Sequence, residues 1–360
     1  MRKAIRKINI IILLVLCLTL LLLTVRVVNA NICKTTSRNS EIQENTEEPV
    51  MWSGLGMHIF PTSDNTYPFE LSPSFGDWVD ELLSNGFTQL RIDSTYWSDA
   101  GAVAISKSAV AIAVSKGAEV IWGVGAGATT LTSANWPDFR QGILDTAQWA
   151  QDNGVYEFQL GNEEELHNDD TTLTDVQLRT NIKAIATEVQ AIFTRGNISY
   201  SCDQGSVNSW IAIGKGDMDI LAVNEYMGET TFNNNTWKTD ITNLVNAFGS
   251  NGTYLTEFSL SCVSLDTYST DEAVQAAAVT EMIEYIKASG MERAIFFCYY
   301  DDSQPFGPEG FGVVKTDGNY RLLWNQALLN SGSVKSITVP AKTTTISLPN
   351  TIALIPRITR

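Results

Sequence analysis

Two glutamates, far apart in the chain, stand where a carboxyl could do chemistry. Glu163 ends the run Leu160-Gly161-Asn162-Glu163, and Glu257 sits inside Leu255-Thr256-Glu257-Phe258. Hydrolysis of a glycosidic bond needs two carboxyls on opposite sides of the sugar. One must be protonated to release the leaving oxygen. The other must be ionised to attack the anomeric carbon or to activate water. An amide, Asn162, directly precedes the first carboxyl. Any single exposed glutamate is most often only a solvated charge, so the pair must be brought together by the fold to count.

The elements around them suggest how. Phe158 and Leu160 alternate with Glu157, Gln159 and Gly161, the period-2 pattern of a strand. Similar runs recur at Trp52–Phe60, Phe87–Ile92, Glu119–Gly123, Ile198–Ser201, Met218–Val223, Thr253–Thr256 and Ala294–Tyr299. Helical patterns separate them. Ser74–Asn85, Ala102–Lys116, Trp136–Asp152, Thr174–Phe193, Val207–Ile213, Trp237–Phe248, Asp271–Ala288 and Asn319–Leu329 fill the intervals. Eight strands, each followed by a helix, over residues 51–330 predict an α/β protein with a (β/α)8 TIM barrel. A doubly wound open sheet would share the alternation. No GxGxxG or phosphate-binding loop follows any strand, which weakens that alternative. In a barrel, both glutamates reach the mouth formed by the strand C-termini.

Composition narrows the partners. The chain of 360 residues carries a formal net charge of −16. Residues 1–30 contain basic residues and no acid, so the rest is more acidic still. Such a surface repels phosphate backbones, and no nucleic-acid partner is expected. A neutral carbohydrate suits it better than a polyanion. Arg2, Lys3, Arg6 and Lys7 precede an apolar run from Ile10 to Val25, and Val28-Asn29-Ala30 ends in a small residue. Residues 1–30 therefore read as a signal peptide, or as a retained N-terminal anchor tethering the chain to the membrane through residues 8–28. Both readings place the rest outside the cytoplasm, secreted or surface-anchored. Residues 31–50 form a polar linker, and residues 331–360 a Thr/Ser-rich tail that reads as either one hairpin or a flexible segment. Outside the targeting segment, Cys33, Cys202, Cys262 and Cys298 show no CxxC spacing, and their pairing stays open.

At the predicted strand ends lie His58, Arg91 with Asp93, Trp122, Asn162 with Glu163, Asp203, Asn224 with Tyr226, Glu257, and Tyr299 to Asp302. His58 reads equally as a sugar contact or a satisfied core histidine. Trp122 and Tyr300 are candidate sugar platforms, and Asp203 a subsite residue or a helix cap. Glu164 and Glu165 read as helix-entry or subsite carboxylates. The acidic run Glu163 to Asp170 with His167 could hold a metal, but its spacing fits no specific site.

Leu160-Gly161-Asn162-Glu163 and Leu255-Thr256-Glu257-Phe258 resemble the clan A retaining glycoside hydrolases, the barrel enzymes that include the family 5 cellulases and mannanases. The resemblance covers roughly residues 51–330. It implies that Glu163 is the acid/base and Glu257 the nucleophile of a double displacement on a β-linked carbohydrate. It implies that Asn162 bonds the sugar 2-hydroxyl, that Arg91 supports the nucleophile, and that Tyr226 stands beside it. No cofactor or metal is implied, and a monomer is expected. Two places depart from the family 5 pattern. Asn224-Glu225-Tyr226 stands where His-x-Tyr is usual. Cys298-Tyr299-Tyr300 stands where a tryptophan platform is usual, so Tyr299 or Tyr300 would replace it. The competing readings are a non-catalytic glycan-binding barrel or cell-surface module and, third, a metal-dependent hydrolase.

Overall fold

The computed structural model describes residues 54–61, 71–92, 97–127, 129–167, 172–227, 235–260, 272–300, 310–315 and 318–330. The chain divides into two units, Met1–Val50 and Met51–Arg360, and all the described residues belong to the second. The predicted targeting segment, the linker, the tail, Asp93, Asp301, Asp302, Cys33 and Cys262 lie outside the described residues. No helix among the described residues is long and apolar enough to cross a membrane.

The strands are β1 (Leu55–Ile59), β2 (Gln89–Ile92), β3 (Glu119–Gly123), β4 (Glu157–Asn162), β5 (Asn197–Asp203), β6 (Ile220–Met227), β7 (Leu255–Leu260) and β8 (Ala294–Phe296). The helices that follow them are α1 (Phe75–Ser84), α2 (Ala100–Ser115), α3 (Trp136–Asn153), α4 (Asp175–Gln190), α5 (Val207–Ile213), α6 (Thr236–Phe248), α7 (Glu272–Ala288) and α8 (Leu323–Asn330). All eight strands pair in parallel, in sequence order, and β8 closes on β1. The predicted (β/α)8 barrel is the observed fold.

The local causes are ordinary. Asp99 caps α2 by accepting from the amides of Gly101 and Ala102. Thr174 and Gln177 form a reciprocal capping box at α4. Pro137 sits in the first turn of α3, where its missing N–H costs nothing. Along the strands, alternate residues face the helices and the barrel interior. Phe158 and Leu160 of β4 are fully buried in the main core, with Phe158 against Phe193. The interior is filled by Ile121, Ile220, Ala222, Tyr254 and Ile295. Glu157, also inside, accepts from Tyr254 Oη at 2.6 Å and pairs with Arg293, whose guanidinium lies 3.9 Å from the Tyr254 ring centre. This layer packs the barrel beneath the mouth.

Two strands break the alternation. Between β4 and β5, Gln159 pairs with Ser199 but Asn162 pairs with Ser201. Between β6 and β7, Val223 pairs with Leu255 but Asn224 pairs with Glu257. Each shift is one extra residue, a bulge in β4 and another in β7. By plain alternation Asn162 would follow Leu160 outward, and Glu257 would follow Leu255 outward. The bulges turn both inward. Strands β6 and β7 also run further than predicted, through Met227 and Leu260. The predicted ends fell at the first polar residues, but a barrel interior accepts polar side chains that bond one another.

Candidate active site

Arg91 stands at the centre. From β2 it enters the interior with 1% exposure. Its Nη1 donates to Glu257 Oε1 at 2.5 Å and to His58 Nδ1 at 3.1 Å. Its Nη2 donates to Asn162 Oδ1 at 2.9 Å, and its Nε to Gln159 Oε1 at 2.9 Å. Because Arg91 can only donate, His58 Nδ1 must accept, which puts the ring proton on Nε2. One guanidinium thus ties β1, β2, β4 and β7 together at the mouth. A buried arginine–carboxylate pair of this kind is costly to break, about 3–5 kcal/mol if one partner is removed.

Asn162 is held from a second side. Its Oδ1 also accepts from Asn224 Nδ2 at 3.1 Å. Asn224 Oδ1 accepts in turn from Ser201 Oγ at 2.7 Å and Thr256 Oγ1 at 2.8 Å. Asn224 is 1% exposed and belongs to the floor of the site. With Oδ1 doubly engaged, Asn162 presents Nδ2 as its remaining donor group.

Glu163 follows in the left-handed backbone region, at φ 56°. A non-glycine residue there costs on the order of 1–3 kcal/mol and persists only where its surroundings enforce it. The enforcement comes from its neighbours. Glu163 N donates to Ser201 O at 2.8 Å, and Glu163 O accepts from Leu166 N at 2.9 Å. Glu164, buried, accepts Ala126 N on both oxygens at 3.0 Å and Asn162 N at 3.1 Å. Glu165 accepts from Tyr200 Oη at 2.6 Å and from Trp210 Nε1. So the second and third glutamates anchor the turn to its surroundings, while the first is left for the mouth. Gly161 is required at this turn. A Cβ there would lie 2.7 Å from Glu164 Oε1 and 3.2 Å from Tyr200 Cε2.

The electrostatics separate the two carboxyls. Burial, and then the charge of Glu257, push Glu163 up to about 8. A hydrogen bond from Asn224 and the more distant Arg91 oppose that rise, while Asp203 adds to it. Glu257 instead faces the Arg91 guanidinium, Nη1 lying 2.5 Å from its Oε1. A carboxyl raised toward neutral pH beside one paired with a cation is the arrangement that acid-assisted displacement uses.

Other expected residues are placed differently. Tyr226 lies two residues beyond Asn224 on β6, in register with Ser259 rather than Glu257. Its ring packs against Phe297 and Phe311, at 5.2 and 5.5 Å between centres. Among the described residues, no hydrogen bond joins it to Glu257. Trp122 is not at the mouth. Its parity on β3 points it at the helices, where Nε1 donates to Ser106 Oγ at 2.6 Å and the ring meets Trp149. Tyr300 stacks on Trp78 of α1 at 5.5 Å, and Tyr299 bonds Glu81. The aromatic that reaches the site after β8 is Phe297, 4.9 Å from the His58 ring and joined there by Phe60. Asp203 caps the following turn by accepting Gly205 N at 2.7 Å. Sequence reasoning missed Gln159 and Phe297. Gln159 carried a signal, a polar residue at an inward-facing position of β4. Phe297 carried only its place just beyond β8.

Among the described residues, no group of three or more His, Cys, Asp or Glu is arranged to hold a metal ion. Cys202 and Cys298 are both buried.

No protein-family model matches the chain, and no curated protein does. Solved structures do. An exo-β-1,4-mannosidase from Opitutaceae bacterium strain TAV5 superposes with a TM-score of 0.61 at 13% identity, over 77% of this chain and 59% of its own. A β-D-glucuronidase of Dictyoglomus thermophilum gives 0.59 at 13% identity, over 79% and 51%. A β-glucuronidase of Faecalibacterium prausnitzii gives 0.57 at 13% identity, over 79% and 49%. The chain spans roughly half to three-fifths of the length of these structures. At such identity the likeness shows a shared fold: this chain has the TIM-barrel architecture found in those glycosidases.

Proposed function

We propose that the protein is a retaining glycoside hydrolase of clan A type, cleaving β-glycosidic bonds in a neutral poly- or oligosaccharide. One observation carries the reading: Arg91 joins Glu257 to Asn162, the residue before Glu163, while burial keeps Glu163 protonated. In the proposed mechanism Glu257 attacks the anomeric carbon, and Glu163 gives its proton to the leaving oxygen. The glycosyl–Glu257 ester is neutral, so the second of the two main causes that raise the Glu163 pKa, after burial, disappears. Glu163 then ionises more readily and takes a proton from the incoming water. Asn162 Nδ2 is the donor for the sugar 2-hydroxyl, a bond that tightens as positive charge grows at the ring. The β-glycosidases among the structural neighbours support the same class of substrate.

A neutral sugar is preferred over a uronate for an electrostatic reason. Four of the five Arg91 N–H donors already meet Gln159, His58, Glu257 and Asn162. A sugar carboxylate would meet Glu163, Glu257 and Asp203 with little cation left to receive it. Export through residues 1–30, release or tethering at the cell surface, and a monomeric state complete the proposal.

The test is a panel of aryl β-glucoside, β-mannoside, β-xyloside and β-glucuronide, together with β-glucans, followed by proton NMR of the first-formed sugar. Cleavage of a neutral member with the β-anomer appearing first is expected. No cleavage of any member would remove the enzyme reading, and the α-anomer first would remove the retaining one. The pH profile gives a second check. The first step needs protonated Glu163, so kcat/KM should hold below about 8 and fall roughly tenfold per pH unit above it. A profile flat to pH 10 would contradict Glu163 as the acid.

A further inference from the structure

Gln159 is buried inside β4 and holds two things at once. Its Oε1 accepts Arg91 Nε at 2.9 Å, and its Nε2 donates to Gly161 O at 3.0 Å. The amide orientation is fixed by these partners, because Arg91 can only donate and a carbonyl can only accept. The first bond restrains rotation of the guanidinium about its own axis. That rotation decides whether Nη1 meets Glu257 and Nη2 meets Asn162. The second bond holds the bulge that turns Asn162 inward and leads into the left-handed Glu163. The two carboxyls come from strands that are not neighbours, so their relative placement depends on what links β4 to β7 inside the barrel. Arg91 is the link that reaches Glu257 itself, beside the Asn162–Asn224–Thr256 path, and Gln159 holds its Nε on β4.

We propose that Gln159 is a positioning residue that sets the geometry of both halves of the site, Arg91–Glu257 on one side and Asn162–Glu163 on the other. The inference rests on the hydrolase reading for its kinetic part only. Two substitutions separate its functions. Gln159→Leu keeps the approximate volume and removes both bonds. Gln159→Glu keeps the shape, and its protonated acid still offers one donor and one acceptor. Its ionised form can accept from Arg91 but cannot donate to Gly161, and it competes with Glu257 for the same cation.

The experiment measures kcat, KM and pH profile on the cleaved neutral glycoside, with thermal melting to check folding. In parallel, the nitrogen-15 side-chain signals of Arg91 are recorded, assigned by their loss in Arg91→Lys. In Gln159→Leu, kcat should fall at least about tenfold, the scale of one lost hydrogen bond to a charged group, while KM changes little. In Gln159→Glu, activity should approach the wild-type value at acid pH and drop as the new carboxyl ionises, narrowing the profile from the alkaline side. The Arg91 Nη signals, distinct when the guanidinium is fixed, should average in Gln159→Leu. If that variant does not fold, the pH profile of Gln159→Glu decides. A kcat within twofold of wild type in Gln159→Leu, a Gln159→Glu profile that overlays wild type, or Arg91 signals that stay distinct would overturn the proposal. If the wild-type protein cleaves no glycoside, the hydrolase reading falls and the Arg91 signals alone decide the role of Gln159.

Discussion

Replacing Glu257 with alanine is expected to lower kcat by roughly 10⁴-fold or more, the scale seen when a nucleophile is deleted from a unit that acts together. At about 1.4 kcal/mol per decade, this is about 5–6 kcal/mol of lost transition-state stabilisation. The loss has two parts. The attacking oxygen is gone, and Arg91, with 1% exposure, is left facing an empty cavity. An unpaired buried guanidinium costs stability as well, so melting temperature should fall in Glu257→Ala. Glu257→Gln keeps the volume and an acceptor for Arg91, yet an amide cannot form the glycosyl ester, so it should fold and remain inactive. The decisive measurement adds sodium azide to Glu257→Ala with an aryl β-glycoside. A small anion in the vacated space would attack from the face Glu257 used, giving an α-glycosyl azide. A β-configured product, or activity surviving the substitution, would remove Glu257 as the nucleophile.

How much of this site was legible before folding can be argued from its strands. The barrel was written in the alternation of apolar runs and helical stripes, because eight βα units leave few other ways to bury eight strands. The polar residues at strand ends followed from that topology, and Arg91, His58, Asn162, Asn224, Glu163 and Glu257 do converge. What the pattern could not express is direction. A bulge has no reliable sequence mark, and the period-2 rule turns Asn162 and Glu257 outward. Only the register shifts against β5 and β6 explain why both point in. Trp122 failed for the converse reason. It sits at a strand end, but its parity carries it to α2 and α3. Being near the mouth in sequence is not the same as facing it. The three consecutive glutamates show a third limit. Their types are identical, and their duties are divided by contacts from Ala126, Tyr200 and Trp210, which are far away in sequence.

That division of duties leads to a second large effect, at Glu163. Glu163→Gln should reduce kcat/KM by about 10²–10⁴-fold on a substrate with a basic leaving group, such as an unactivated disaccharide. On a dinitrophenyl β-glycoside the loss in this first step should nearly vanish, because that leaving group departs without a proton. The same variant should lose the alkaline limb near 8, since the group responsible for it is absent. Glu164→Gln provides the contrast. It keeps the side-chain volume but weakens the bonds to Ala126 N and Asn162 N, so the turn that holds Glu163 loosens. Its defect should fall on substrates with good and poor leaving groups alike, because the geometry suffers rather than the proton. Azide again discriminates. With Glu163→Ala it would attack the glycosyl–Glu257 ester from the face the acid/base occupied, giving a β-glycosyl azide, the opposite anomer to that from Glu257→Ala. Equal losses on both leaving groups in Glu163→Gln, or the same azide anomer from both alanine variants, would show that the two carboxyls do not divide the reaction as proposed.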